Sequence, residues 1–274
     1  MSETITTWHL LETGPRPGAW NMACDEALLD AVGSGEIPPT VRFYAWGPPA
    51  VSLGRHQPDL EPSARAALAA LGIDWVRRPT GGRLVYHGTA DEELTYSVVA
   101  PLDEPSLAGG LSEAYRRIHE ALATGLARLG IAAALAPRPS SSGRGAHSPR
   151  SRLACFAASV PNEIVADGRK LVGSAQRRSR RSLLQHGSIP LGGDPAAIPA
   201  RIWPGCLEAT TVTTVSAAAG RAFGFDEAVA ALAAGIEEKL NVRLEPGVLS
   251  EGERDAIRAR LADEVPMGAA AASA

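Results

Sequence analysis

The sequence predicts an α/β protein of the α+β type: a mixed, largely antiparallel sheet packed by helices. Short runs rich in Val, Tyr, Phe, Ile and Leu, bounded by Gly, Pro or Asp-Gly, recur along the chain and read as strands. Apolar residues at three- and four-residue steps mark helices between and after them. The composition, 45% hydrophobic and 21% charged over 274 residues, is that of a chain with a real core. A single domain over residues 1–265 is expected, its C-terminal helices starting near 225, with a disordered tail at 266–274.

The elements follow in order. "NMACDEALLDAVGSG" reads as a helix capped by Asn21 and closed at Gly33 and Gly35. "VRFYAW" and "AVSLG" read as two short strands around a Gly-Pro-Pro turn. "EPSARAALAALG" is a helix ended by Gly72. "IDWVRRPTGGRLVYH" starts as a strand and breaks at Pro79–Gly82, and "ELTYSVVA" is the next strand. A long helix follows, with Leu111, Tyr115, Ile118, Leu122, Leu126 and Leu129 on one stripe and Gly130 ending it. The polar, basic stretch from Ala136 to Ser151 reads as a mobile loop or lid. "NEIVA" and "RKLVGSAQ" flank Asp167-Gly168, a strong hairpin signal. "LLQHGSIPL" gives another strand, "FDEAVAALAAGIEEKL" an amphipathic helix, and a last helix lies near Ser250 to Leu261.

A net charge of −3 indicates no global attraction to nucleic acid or anionic membrane. No apolar run is long enough for a membrane span, and the N-terminus does not read as a secretion signal. Cys24, Cys155 and Cys206 form no C-x-x-C pair, which argues against a disulfide framework or structural zinc and fits a reducing cytoplasm.

Three stretches could carry chemistry. In "RRPTGGRLVYH", Gly81 and Gly82 allow close backbone approach, and Arg77, Arg78 and Arg83 surround the turn, which suits an anion. The turn could equally be plain, with solvated arginines; it matches no standard nucleotide motif. In the hairpin, strand alternation puts Lys170, Val172, Ser174 and Gln176 on one face and Leu171, Gly173 and Ala175 on the other. Small residues inside a strand imply a close neighbour, either a narrow slot for an alkyl chain or a packed helix. The third is Cys155 with Lys170. A free thiol has a pKa near ~8.5 and is mostly protonated at neutral pH. An ammonium about 4 Å away is worth roughly 4 kcal/mol at an effective dielectric of ~20, enough to lower the thiol by more than one unit. Across the turn, however, Lys170 faces Val165, so the two meet only if "FAASVP" folds back; otherwise Cys155 is an inert buried thiol. Cys24 and Cys206 read as structural. His87 and His186 follow strand-like runs near glycines, and each alone is a weak signal. "RRSRR", Arg177 to Arg181, reads as a solvated strand end or a docking patch.

Taken together, "NMACDEALL", "PAVSLGRHQ", "VRRPTGGRLVYH", "ELTYS", "GRKLVGSAQRR" and "LLQHGSI", in that order over roughly Trp20 to Leu191, resemble the lipoate-protein ligase and octanoyltransferase family, whose catalytic domain is shared with biotin ligases. "ACF" shortly before "GRK", and "TGGR" in place of "GGG", resemble the cysteine-dependent octanoyltransferases within it. The resemblance implies octanoyl transfer from acyl carrier protein, through an acyl-enzyme on Cys155, to a lysine of a lipoyl-accepting protein such as glycine cleavage H protein or a dehydrogenase E2 subunit. It implies that Lys170 steadies the thiolate and assists proton transfer. Gly81, Gly82, Gly173, Ser174 and Ala175 would line the acyl slot, Arg83 and His87 shape its wall, and Arg77, Arg78, His186 and Gly187 complete the substrate-binding set. Arg144, Arg150, Arg152 or the Arg177–Arg181 run would dock the acidic carrier. No metal or cofactor is implied. Under the competing reading, an ATP-dependent lipoate-protein ligase, ATP and magnesium would be required and Cys155 would be incidental. A remoter reading is a non-catalytic nucleic-acid-binding protein. The link "HGTADEELTYS" is a few residues longer than the family's usual spacing, which leaves the role of His87 open.

Overall fold

The computed structural model describes residues 5–137, 162–203 and 211–263. The elements run β1 (Thr6–Arg16), α1 (Gly18–Ser34), β2 (Thr40–Trp46), β3 (Ala50–Leu53), α2 (Pro62–Ala70), β4 (Asp74–Arg77), β5 (Val85–His87), β6 (Glu93–Pro101) and α3 (Leu111–Arg128). They continue β7 (Ala133–Leu135), β8 (Ile164–Ala166), β9 (Arg169–Lys170), β10 (Gly173–Arg178), β11 (Ser182–Pro190), α4 (Ala197–Ile202), α5 (Val215–Ala219), α6 (Phe225–Leu240), β12 (Val242–Pro246) and α7 (Glu251–Asp263).

The large sheet has the order β10-β11-β6-β2-β1-β12. Its β10–β11, β11–β6 and β6–β2 pairings are antiparallel, while β2–β1 and β1–β12 are parallel. This is the mixed, largely antiparallel sheet the sequence predicts. Strand alternation sorts its side chains between two helical layers. Val41, Phe43, Val98 and Leu183 join the core under α3 and α6, and Val99 and Leu184 join the core under α1 and α7. In β2 the intervening Arg42 and Tyr44 both reach Asp25 of α1. The α3–α6 crossing is very close: a methyl group on Gly235 would lie 2.2 Å from the Gly125 nitrogen. A small sheet, β4-β3-β5, packs through Val51, Leu53, Trp75 and Leu84 on Leu68 of α2. A second small sheet, β7-β8-β9, carries the Asp167-Gly168 turn.

Four expectations change. Asn21 does not cap α1; the helix begins at Gly18 after Pro17, and the Asn21 amide donates inward to Arg16 O and Ala45 O. "VRFYAW" and "AVSLG" belong to different sheets rather than one hairpin. "RKLVGSAQ" is two strands: β9 ends at Lys170, β10 starts at Gly173, and Leu171 and Val172 between them are both buried. The two-face alternation from Lys170 to Gln176 therefore fails, because its register breaks where the chain passes between sheets. Leu111 heads the α3 stripe but is exposed. Strands β1, β7 and β12 had no clear signal, and Gly14-Pro15 interrupts β1 with a bulge. Cys155, Cys206, Arg144, Arg150, Arg152, most of the expected lid and the C-terminal tail lie outside the described residues.

Candidate active site

A narrow apolar slot, about 340 Å³ of empty space counting the open solvent at its mouth, opens between the large sheet, the β3–β5 sheet and α1. Met22, Tyr44, Trp46 and Val85 form its hydrocarbon wall. Gly173, Ser174 and Ala175 of β10 face His186, Gly187 and Ser188 of β11 in register, Ser174 opposite Gly187. Arg78, His87, Ser52 and Thr95 complete the lining.

The polar groups of the wall largely satisfy one another. The Asp25 carboxylate accepts from Arg42 Nη1 at 2.8 Å, Tyr44 Oη at 3.2 Å and His186 Nδ1 at 2.9 Å. Burial alone would raise the Asp25 pKa, but the Arg42 charge and the His186 bond outweigh it and hold the group below its ordinary value. Since Asp25 accepts from Nδ1, the neutral His186 ring presents Nε2 as acceptor to the Thr80 hydroxyl at 2.6 Å. Burial also pushes the His186 pKa down against the pull of Asp25, and Arg78 and His87 nearby push the same way.

A second relay mirrors the first. His87 Nδ1 donates to Glu93 Oε1 at 2.8 Å, and Nε2 pairs with Ser52 Oγ at 2.8 Å. Trp46 stacks on His87 at 3.9 Å and donates to Thr95, which donates to Glu93. The longer link after His87 turns back at Thr89–Glu92, so that Glu93 caps His87 and also accepts from Gly88 N at 3.1 Å. Ser188 is the exception: its buried hydroxyl has no partner among the described residues.

The arginines of the Gly-Gly turn hold backbone. Arg78 donates to Ser52 O, Gly81 O and Arg83 O at 2.6 to 3.1 Å. Arg77 reaches Gly54 O, Gln57 O and the Asp59 carboxylate. Both thus shape the turn, and the local anion cradle expected there is largely occupied by carbonyls. Gly54 is required by this packing, since a methyl group there would sit 2.0 Å from Gly82 O. Gly81, Gly82 and Arg83 belong to the turn beside the slot rather than to its lining among the described residues.

Lys170 is not among the residues lining the slot; it is 1% exposed, its Nζ donating to Glu163 Oε1 at 2.5 Å. Its register partner across the turn is Val165, as strand pairing predicts. Its backbone carbonyl accepts from Thr213 N at 2.9 Å. Cys24 is buried on α1, where burial pushes the thiol up to about 11, so it is inert.

Asp25, Arg42, Ser52, Thr80, Glu93, His119 and Glu163 escaped sequence reading. An arginine inside the apolar run "VRFYAW", with Asn21 and Asp25 four residues apart on a helix, was the available signal. His119 sits in the apolar stripe of α3, where nothing marks it.

The profile for the lipoyl protein ligase A/B catalytic domain matches residues 17–237. An octanoyltransferase LipM from Symbiobacterium thermophilum is 45% identical over 264 residues, covering 90% of this chain and 92% of its own. The proteins of the same name from Kyrpidia tusciae and Bacillus subtilis are 43% identical over 260 residues and 37% over 259, covering 92% and 91% of this chain and 93% and 92% of their own. A lipoate-protein ligase A structure bound with ATP superposes with a TM-score of 0.75 at 23% identity, covering 95% of this chain and 96% of that one. A putative lipoate protein ligase from T. acidophilum with bound lipoic acid gives 0.71 at 23%, with the same coverage. These two likenesses concern the fold.

Proposed function

The chain belongs to the lipoyl protein ligase A/B catalytic domain family, and we propose that its activity there is octanoyl transfer in protein lipoylation. The observation that carries this reading is that relatives spanning nine-tenths of the chain bear the name octanoyltransferase. The slot supports it, because a narrow hydrocarbon wall with internally paired polar groups suits an alkyl chain.

The donor is an octanoyl thioester on acyl carrier protein. The Cys155 thiolate attacks its carbonyl carbon, the carbon–sulfur bond to the carrier breaks, and the carrier thiolate leaves and takes a proton. A neutral lysine amine of a lipoyl-accepting protein then attacks the acyl-enzyme. An amide forms, the amine loses a proton, and the Cys155 thiolate is restored. The thioester is already activated, so neither step calls for ATP. Lys170 supplies the cation beside the thiolate, and Glu163 orients that ammonium. Because Glu163 offsets part of its charge, Lys170 acts on the thiol with less than the roughly 4 kcal/mol that an unpaired ammonium about 4 Å away gives at an effective dielectric of ~20. The accepting protein is a lipoyl domain; H protein and E2 subunits are the candidates.

Intact mass after mixing with octanoyl carrier protein, without ATP, tests the reading. The expected result is a gain of one octanoyl group mapped to Cys155, and no gain in Cys155→Ala. Acceptor modification that needs free lipoate and ATP and survives Cys155→Ala would instead assign a ligase.

A further inference from the structure

We infer that His119 is a positioning residue for the transfer, clamping together the two ends of the segment that carries Lys170; the functional consequence rests on the role proposed for Lys170 above. His119 lies on the apolar stripe of α3 beside the buried Ile118, Ala121 and Leu122, with no exposed surface. A ring there is tolerated only if its nitrogens are bonded, and both are. Nδ1 lies 2.5 Å from Asn162 O and Nε2 lies 2.8 Å from Ser174 Oγ.

The direction of these bonds is fixed. A carbonyl only accepts, so Nδ1 carries the proton. Burial pushes the ring down to about 4, countered by the Asn162 carbonyl and helped by the nearby Lys170 ammonium, so the ring is neutral near pH 7. Neutral Nε2 must accept, and Ser174 Oγ–H donates to it. Ser174 Oγ then accepts from Tyr96 Oη at 2.8 Å, and Tyr96 Oη accepts from Gln185 Nε2 at 3.0 Å. One oriented chain thus crosses from β11 through β6, β10 and α3 to the start of β8.

Its location gives it meaning. Asn162 precedes Glu163, the carboxylate that grips Lys170, and Ser174 is on the slot wall. Residues 162–174 change sheets midway: Leu171 N and Val172 N still donate to Ile164 O, but beyond them β10 pairs with β11 and no backbone ladder runs on from the Lys170 end to Ser174. His119 bonds both ends at once. It thereby sets the distance between the Lys170–Glu163 pair and the acyl chain's wall. A misplacement of about 1 Å at a reacting centre costs on the order of 100-fold in rate.

Single-turnover acylation by octanoyl carrier protein, over a range of donor concentrations, tests this in His119→Phe, His119→Gln, Ser174→Ala and the His119→Phe/Ser174→Ala double variant. Thermal unfolding confirms folding in each. His119→Phe should slow acylation at saturating donor by about 10- to 100-fold while the half-saturating donor concentration changes less than about threefold. Gln, whose amide offers an acceptor for Ser174 and a donor for the Asn162 carbonyl, should recover most of the rate. The double variant should be no slower than its slower parent. A folded His119→Phe enzyme with wild-type acylation would overturn the inference. So would a Gln variant as slow as Phe, or additive losses in the double variant. If Phe does not fold, the Gln variant and Ser174→Ala decide: wild-type acylation in Ser174→Ala rejects the clamp. If the unaltered enzyme itself accepts no octanoyl group, the proposed activity fails and not the clamp.

Discussion

Asp25 takes three donors from inside the protein, one of them a cation. Arg42 and Tyr44 approach from β2 and His186 from β11, and the group is wholly buried. Asp25→Asn keeps the shape but leaves Arg42 without its counter-charge. Removing one partner of a buried pair costs about 3–5 kcal/mol, so the urea midpoint should fall by a corresponding amount. A change below about 1 kcal/mol, the scale of a surface pair, would show that the network does not depend on this carboxylate. His119 gives a second expectation at this scale. Its pKa is near 6.5 in the unfolded chain and about 4 in the folded one. Above pH 6.5 neither state is protonated and the full stability is present. As pH falls from about 6.5 toward 4 the unfolded state binds a proton that the folded state refuses, so stability declines by up to about 1.4 kcal/mol per pH unit. His186, also lowered, acts in the same direction. Urea titrations at pH 7 and pH 5 should show a smaller loss in His119→Gln than in the unaltered protein; equal losses would remove His119 as the source.

Among the helices, the α3–α6 pair is sharply constrained by two glycines. Gly125 and Gly235 let the helices touch backbone to backbone, and a methyl group on Gly125 would lie 2.6 Å from Leu232 Cα. Gly235→Ala must push α6 away from α3 and should cost about 1–3 kcal/mol or more, despite its better helix propensity. A stabilised variant in thermal unfolding would mean the helices can separate freely. Elements like these were legible because α3 and α6 repeat their apolar residues with a helical period, and Asp167-Gly168 fixed the β8–β9 turn. The slot was legible in part for a related reason. The segments Gly173–Ala175 and His186–Gly187 carry small residues that strands avoid unless something approaches closely, and they do pair on its wall. The supporting groups were not legible, since each acts on a residue distant in the chain. Asp25 serves His186, Thr80 also serves His186, and His119 serves Ser174 and Asn162. The break inside "RKLVGSAQ" was hidden because Leu171 and Val172 fit a strand by composition. What ends β9 is the passage between two sheets, a tertiary event.

At the scale of the whole molecule, β10 lies at the edge of the large sheet, with the slot at one end and the arginine run at the other. An extended strand advances ~3.3 Å per residue, which puts Arg178 about 13 Å from Ser174. Arg178, Arg180 and Arg181 are exposed, whereas Arg177 is engaged by Glu26 at 2.7 Å. A chain of net charge −3 that gathers exposed cations beside its slot has a local field opposite to its overall sign, suited to orienting an acidic carrier protein. Rim charges of this kind act on encounter more than on the bound complex, and their effect is screened over about 8–10 Å at physiological salt. Replacing Arg178, Arg180 and Arg181 together by Ala should therefore raise the carrier concentration needed for half-maximal rate several-fold at low salt, leave the rate at saturation unchanged, and flatten the salt dependence. A small soluble octanoyl thioester, lacking the acidic carrier, should react equally well with both enzymes. If the triple variant keeps the salt dependence of the unaltered enzyme, the carrier docks elsewhere. If the small thioester is slowed as well, the arginines act on the slot itself and not on encounter.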